Sequence, residues 1–123
     1  MLSRFVVHQH RTGRTHFDLR IIQNNVLRSW SLLRELPKRR GEKRLAIERE
    51  SFTAESIESR TFEEDAFGLG RVRVWDTGDV DIKVVSPKHI ILALYGEKVS
   101  GNFEIRRTRW YPGNRWLIKK LSD

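Results

Sequence analysis

The chain of 123 residues contains no cysteine. That excludes disulfides, thiolate metal sites and a cysteine nucleophile. Any metal must be held by His, Asp or Glu, a donor set that suits Mn²⁺, Zn²⁺ or Fe²⁺. No apolar run approaches the ~20 residues needed to cross a bilayer, so neither a transmembrane helix nor a membrane partner is expected. The opening MLSRFVVHQH meets polar residues too early for the apolar segment of a signal peptide. A cytoplasmic location is the expectation. Proline occurs three times, and no low-complexity stretch or internal repeat interrupts the chain. One domain over residues 1–123 is therefore expected. Acidic charge is also scarce, with 16 Asp and Glu against 24 Lys and Arg, for a net charge of +8. Seventeen of the basic residues are arginine, whose planar fork suits phosphate. Nucleic acid fits this balance. A surface of interspersed ion pairs fits it as well.

Apolar residues recur mainly with period 2, which predicts strands. These are expected at 4–10, 16–23, 26–33, 43–50, 71–76, 80–85, 89–95, 101–108 and 115–121. Turn signals separate them: RTGRT, NN, RRG, TGD, SPK, YGEK and YPGN. Many short strands at this spacing predict a mainly β protein, a compact antiparallel barrel or sandwich. The acidic stretch FEEDAFGLG, 62–70, is expected to hold a short helical turn before a bend. FGLG lacks the Lys-Ser/Thr of a phosphate-binding loop.

The richest stretch is HQHRTGRTHFDLR, residues 8–20, which holds three of the four histidines. Side chains alternate along a strand. His16, Asp18 and Arg20 then share one face, and Phe17, Leu19 and Ile21 share the other. His8 and His10 share a face of the preceding strand. A hairpin closed at Gly13 places His10 across from His16, with Asp18 one step along. Two imidazoles and a carboxylate so placed form a facial ligand set for a divalent metal, with positions open to water or substrate. Arg20, beyond Asp18, is placed to clamp a phosphate oxygen. The alternative is a solvated face on which the histidines merely pair with Asp18. Glu48 and Arg49 read as surface charges. Trp30, Trp75, Trp110 and Trp116 read as packing residues, with Trp110–Tyr111 the exception suited to stacking on bases. His89 reads as structural.

FVVHQHRTGRTHFDLRI resembles the metal-binding signature of the 3′-phosphoesterase domain of DNA ligase D and its free-standing archaeal relatives. VLRSW, KRLAIERE, FGLGRVRVWDTGD, GEKVSGNFEIRRTR and WLIKK resemble later landmarks of that family, in the same order. The resemblance spans about Phe5 to Lys120. It implies a compact β-barrel with a crescent groove. It also implies a Mn²⁺-dependent enzyme, with Zn²⁺ or Co²⁺ as alternatives. Such an enzyme acts at the 3′ end of a primer strand in a primer–template duplex. It removes a terminal ribonucleoside and then the 3′-phosphate, leaving a 3′-OH. His10, His16 and Asp18 match the metal ligands. Arg20 and Arg44 match phosphate-binding arginines, Glu50 matches an active-site glutamate, and Arg34 stands where the family usually has lysine.

There are departures from the family pattern. Phe52 replaces a further active-site histidine, and Ser56 replaces a tyrosine. The N-terminal arm of bacterial members is expected to be missing, since the chain begins close to His10. His8 replaces a glutamine, with three roles open to it: general acid, support for the metal ligands, or fourth ligand. The expected function is a 3′-end-healing phosphoesterase of DNA repair. A separate ATP-dependent ligase and a polymerase or primase are the partners this implies. The alternatives are a non-catalytic module that binds nucleic-acid ends and a metallophosphoesterase acting on small molecules.

Overall fold

The structure, a computed structural model, describes residues 2–53 and 72–123. Among these residues there are strands and no helix: β1 Leu2–Thr12, β2 Arg14–Gln23, β3 Val26–Leu32, β4 Lys43–Glu48, β5 Phe52–Thr53, β6 Val72–Ser86, β7 His89–Tyr95, β8 Ser100–Arg107 and β9 Arg115–Ser122. The short helical turn expected within 62–70 lies outside the described residues, as does Ser56. The strands run in the order β2-β1-β6-β7-β8-β9-β4-β3, and β3 pairs back onto β2. Every pairing is antiparallel, so eight strands close into a barrel, with β5 added to β3. Closure leaves few unpaired edges to manage.

Local chemistry sets the first two hairpins. Asn24 and Asn25 both have positive φ, 49° and 65°, and join Gln23 to its partner Val26. A two-residue hairpin needs this left-handed pair, which asparagine tolerates. Gly13, with φ of 77°, turns β1 into β2.

Two expected strands, 71–76 and 80–85, are one. TGD is not a turn but the middle of β6, which pairs β1 through residues 72–81 and β7 through residues 79–86. Gly78 makes this possible. It lies opposite Phe5, and a Cβ there would sit 2.2 Å from the Tyr95 carbonyl oxygen. Glycine inside a strand here marks close backbone approach, not a reversal.

The barrel is filled by the inward alternation, including Phe5, Leu19, Trp30, Leu92, Phe103 and Trp116. Trp30 and Trp116 meet edge to face at 5.7 Å, and the Arg28 guanidinium lies over both rings. This bears out the packing role of those two tryptophans. It also corrects the reading of Glu48 as a surface charge. Glu48 follows Ala46 on the inward face of β4. It pairs with Arg28 at 2.6 Å and accepts a hydrogen bond from Trp116 Nε1 at 3.2 Å. A charge at an inward position near a strand end is tolerated when its lone pairs are met this way. His89 is structural as expected, with Nε2 at 2.8 Å from Glu104 Oε2.

Candidate metal centre

The outer face of β1, β2 and β3 carries the polar half of the alternation. Cross-strand partners share a face, and the register aligns His10 with His16, His8 with Asp18, and Asp18 with Ser31. The hairpin therefore delivers the ligand set that its sequence predicts. One ligand atom from each of His10, His16 and Asp18 falls within 4.8 Å of the others. Asp18 Oδ2 is the focus. His10 Nε2 is 2.7 Å from it, His16 Nε2 3.8 Å and Arg20 NH2 3.4 Å. The two imidazoles stack, with ring centres 4.5 Å apart and planes 17° apart.

Burial holds the His10 imidazole below its ordinary pKa, against the pull of the Asp18 carboxylate; His16 and Arg20 lower it further. A neutral imidazole presents the lone pair that a metal needs. The donors, two nitrogens and one carboxylate oxygen, suit a divalent transition ion with open positions. Asp18 is 5% exposed, whereas the His10 and His16 side chains are 21% and 29% exposed. The site is thus anchored from below and open above.

Arg20 is positioned for an anion. One guanidinium nitrogen leans toward Asp18, while Nε is buried and has no acceptor among the described residues. His8 lies opposite Asp18 and is 1% exposed. It is not one of the three converging ligands. Arg34 is exposed just beyond β3, at the end of the barrel where Leu32 pairs with Phe17, beside His16. Arg44 lies on the inward alternation of β4 with Ala46, and its guanidinium pairs with Glu42 at 3.3 Å. Glu50 is exposed, two residues past β4. The contacts among described residues do not join Arg34, Arg44 or Glu50 to the cluster.

Two members of the site escaped the reading of the sequence. Ser31 Oγ donates to Asp18 Oδ1 at 2.5 Å, and Arg49 Nε donates to Ser31 Oγ at 3.0 Å. Arg49 is exposed, as its reading as a surface charge expects, and its Nε is also the outer end of a relay to the Asp18 carboxylate. The cause is the end of β4 at Glu48: the Arg49 amide bonds the Ser29 carbonyl, which turns its side chain onto β3. The only signal in the sequence was that Ser31 shares a face with Asp18 once the NN hairpin sets the register. The relay occupies Oδ1 and leaves Oδ2 for a metal. Replacing Ser31 with alanine is expected to weaken Mn²⁺ binding about 10- to 100-fold, with Ser31→Thr retaining affinity. Calorimetric titration checks this, and unchanged affinity in Ser31→Ala would remove the relay from the site.

The family model described as the DNA Ligase D 3'-phosphoesterase domain matches residues 8–107. The multifunctional non-homologous end joining protein LigD of Mycobacterium bovis is 33% identical over 127 residues, covering 97% of this chain and 16% of the relative. Its namesake in Mycolicibacterium smegmatis is 30% identical, covering 98% of this chain and 17% of the relative. That of Pseudomonas aeruginosa is 29% identical, covering 99% and 15%. The chain thus spans about a sixth of the length of these relatives. The matched region contains the whole His10–His16–Asp18 cluster, Arg20 and the Ser31–Arg49 relay, and the chain belongs to the DNA ligase D 3'-phosphoesterase domain family.

Proposed function

We propose that this chain is a metal-dependent 3′-phosphoesterase that heals DNA ends. It removes a 3′-terminal ribonucleoside, a 3′-phosphate, or both from the primer strand of a primer–template duplex, leaving a 3′-OH. One observation carries the reading: His10, His16 and Asp18 converge on an open surface beside an arginine with an unused, buried donor. Family membership supplies the reaction class.

Phosphoester hydrolysis needs neutralised oxygens and an oriented nucleophile. A divalent ion, Mn²⁺ foremost and Zn²⁺ or Co²⁺ as alternatives, supplies Lewis acidity and an acidified water when bound. His10 and His16 would hold it through ring nitrogens, and Asp18 through a carboxylate oxygen. Arg20 meets a non-bridging phosphate oxygen, and Arg34, at the same end of the barrel, adds positive charge. Arg44, at the start of β4, and Glu50, two residues past its end, are assigned to the site on the family pattern. His8, buried opposite Asp18, supports the ligands from below and does not reach the substrate. A 2′-OH on the terminal nucleotide is the feature that separates RNA from DNA at this position. In end joining, the product 3′-OH serves a polymerase or primase and an ATP-dependent ligase, the partners proposed for this chain.

A second reading, a module that binds ends without cutting them, is favoured by Phe52. It stands where the family pattern has a histidine, and it is 47% exposed on β5. A primer–template ending in one ribonucleotide, incubated with the protein and Mn²⁺, decides between them. Shortening of the primer followed by phosphate release is expected. Tight binding with neither event would establish the second reading. Cleavage only of small phosphomonoesters, with salt-independent behaviour, would favour a metabolite enzyme, since contacts to several phosphates weaken steeply with salt.

A further inference from the structure

A concavity of mixed polar and apolar lining lies on the outer surface, away from the metal centre. It is a groove of about 490 Å³ over β8, β9 and β4, lined by Lys43, Arg106, Arg107, Lys119, Trp110 and Leu117, with Glu104 as its acid. Glu104 is already engaged, by His89 at 2.8 Å and by Arg106 at 3.4 Å. Lys43, Arg107 and Lys119 have no ion-pair partner among the described residues. Three cations that pair with no acid among the described residues, held together by a rigid sheet, repel one another, and an anion relieves that repulsion. Their order is set by register: Lys43 pairs with Lys119, which pairs with Glu104, while Leu117 pairs with Arg106.

The groove is not only basic. Trp110 is 54% exposed at its rim, and the neighbouring Tyr111 is 91% exposed. By contrast, Trp30 and Trp116 are buried in the barrel. An exposed indole beside clustered cations is the composition of a site for unpaired nucleotides: cations follow the phosphates and the ring stacks on a base. A duplex, whose bases are already stacked, offers the ring no such face.

The outer face of the barrel runs from the metal centre toward the groove. Asp18 pairs with Ser31, Ser31 with Ile47, and Ile47 with Arg115. Three strand spacings, roughly 15 Å along the surface, thus lead from Asp18 to Arg115 on β9, two residues before the groove residue Leu117.

We propose that the Lys43–Arg107–Lys119–Trp110 groove is a binding site for a single-stranded nucleic-acid segment next to the end being processed. The proposal rests on the nucleic-acid substrate assigned above and adds a separate place where that substrate is gripped.

The test uses the full chain and octathymidylate, without metal, read by tryptophan fluorescence and anisotropy. Octathymidylate is expected to quench the exposed indole, and Trp110→Phe to lose the quenching while keeping affinity. Trp110→Ala is expected to weaken binding about 5- to 100-fold. Replacing Lys43, Arg107 and Lys119 with glutamine is expected to weaken binding and to make the slope of log K against log salt shallower by about 2. Wild-type affinity in both the alanine and the triple variants would overturn the groove while leaving the enzyme reading intact. So would a blunt duplex that binds as tightly as the single strand without quenching. Groove-dependent binding in a chain that never cleaves a primer would uphold the groove and overturn the enzyme. Failure of the wild-type protein to bind any oligonucleotide would overturn both.

Discussion

Asp18→Asn is expected to lower primer-end hydrolysis by roughly three orders of magnitude or more, with the barrel still folded. Asp18 Oδ2 is the atom on which His10, His16 and Arg20 converge. An asparagine keeps the shape and can still accept from Ser31 with its carbonyl oxygen. It lacks the negative charge, however, and its amide nitrogen then faces His10 Nε2, which would accept the hydrogen bond. The lone pair that a metal requires is thereby occupied. Calorimetry should show Mn²⁺ binding abolished together with turnover, while circular dichroism and thermal unfolding stay close to wild type. Full turnover in this variant would sink the assignment of the metal centre. A loss of turnover with undiminished Mn²⁺ affinity would place the metal elsewhere.

Asp76→Ala is expected to have the largest effect on stability, about 3–5 kcal/mol. Asp76 is buried, and its carboxylate accepts four backbone N–H groups. Oδ1 takes Thr77 and Glu97 at 2.9 and 3.1 Å, and Oδ2 takes Lys98 and Val99 at 2.8 and 2.7 Å. The turn between β7 and β8 is thus built around an anion supplied by β6. Gly96 lets the turn approach, since a Cβ there would lie 2.3 Å from Asp76 Oδ2. Alanine leaves the buried Val99 amide without its acceptor, at about 1–3 kcal/mol, and three part-buried amides at less where water reaches them. Urea unfolding should show a lower midpoint at unchanged slope. A midpoint within error of wild type would mean that the turn holds itself. Below the new transition, Mn²⁺ affinity should be unaffected, because Asp76 makes no contact with the cluster.

The two variants sort what was legible in the sequence from what was not. His10, His16 and Asp18 were legible because they lie in one hairpin. Alternation assigns their face, and Gly13 fixes where the chain reverses. Trp30 and Trp116 were legible as packing residues from the apolar pattern around them. Glu48 was misread because a carboxylate looks exposed until Arg28 and the Trp116 indole are brought to it across the barrel. TGD was misread because glycine in a strand and glycine in a turn look alike until the neighbouring backbone is known. Arg49 was legible as an exposed charge, but its bond to Ser31, eighteen residues away, was not.

The division has a physical reason. Strand alternation, turn chemistry and charge balance are interactions between residues close along the chain, and they were enough for a mainly β protein, barrel or sandwich, with a ligand-bearing hairpin and a basic surface; the family resemblance was what implied the barrel. The tertiary fold brings β3 beside β4 and β4 beside β9, pairing Ser31 with Ile47 and Lys43 with the distant Lys119. Only that fold could join Arg49 to Asp18 through Ser31, seal one end of the core with Arg28 and Glu48, and gather Lys43, Arg107 and Lys119 into a single groove.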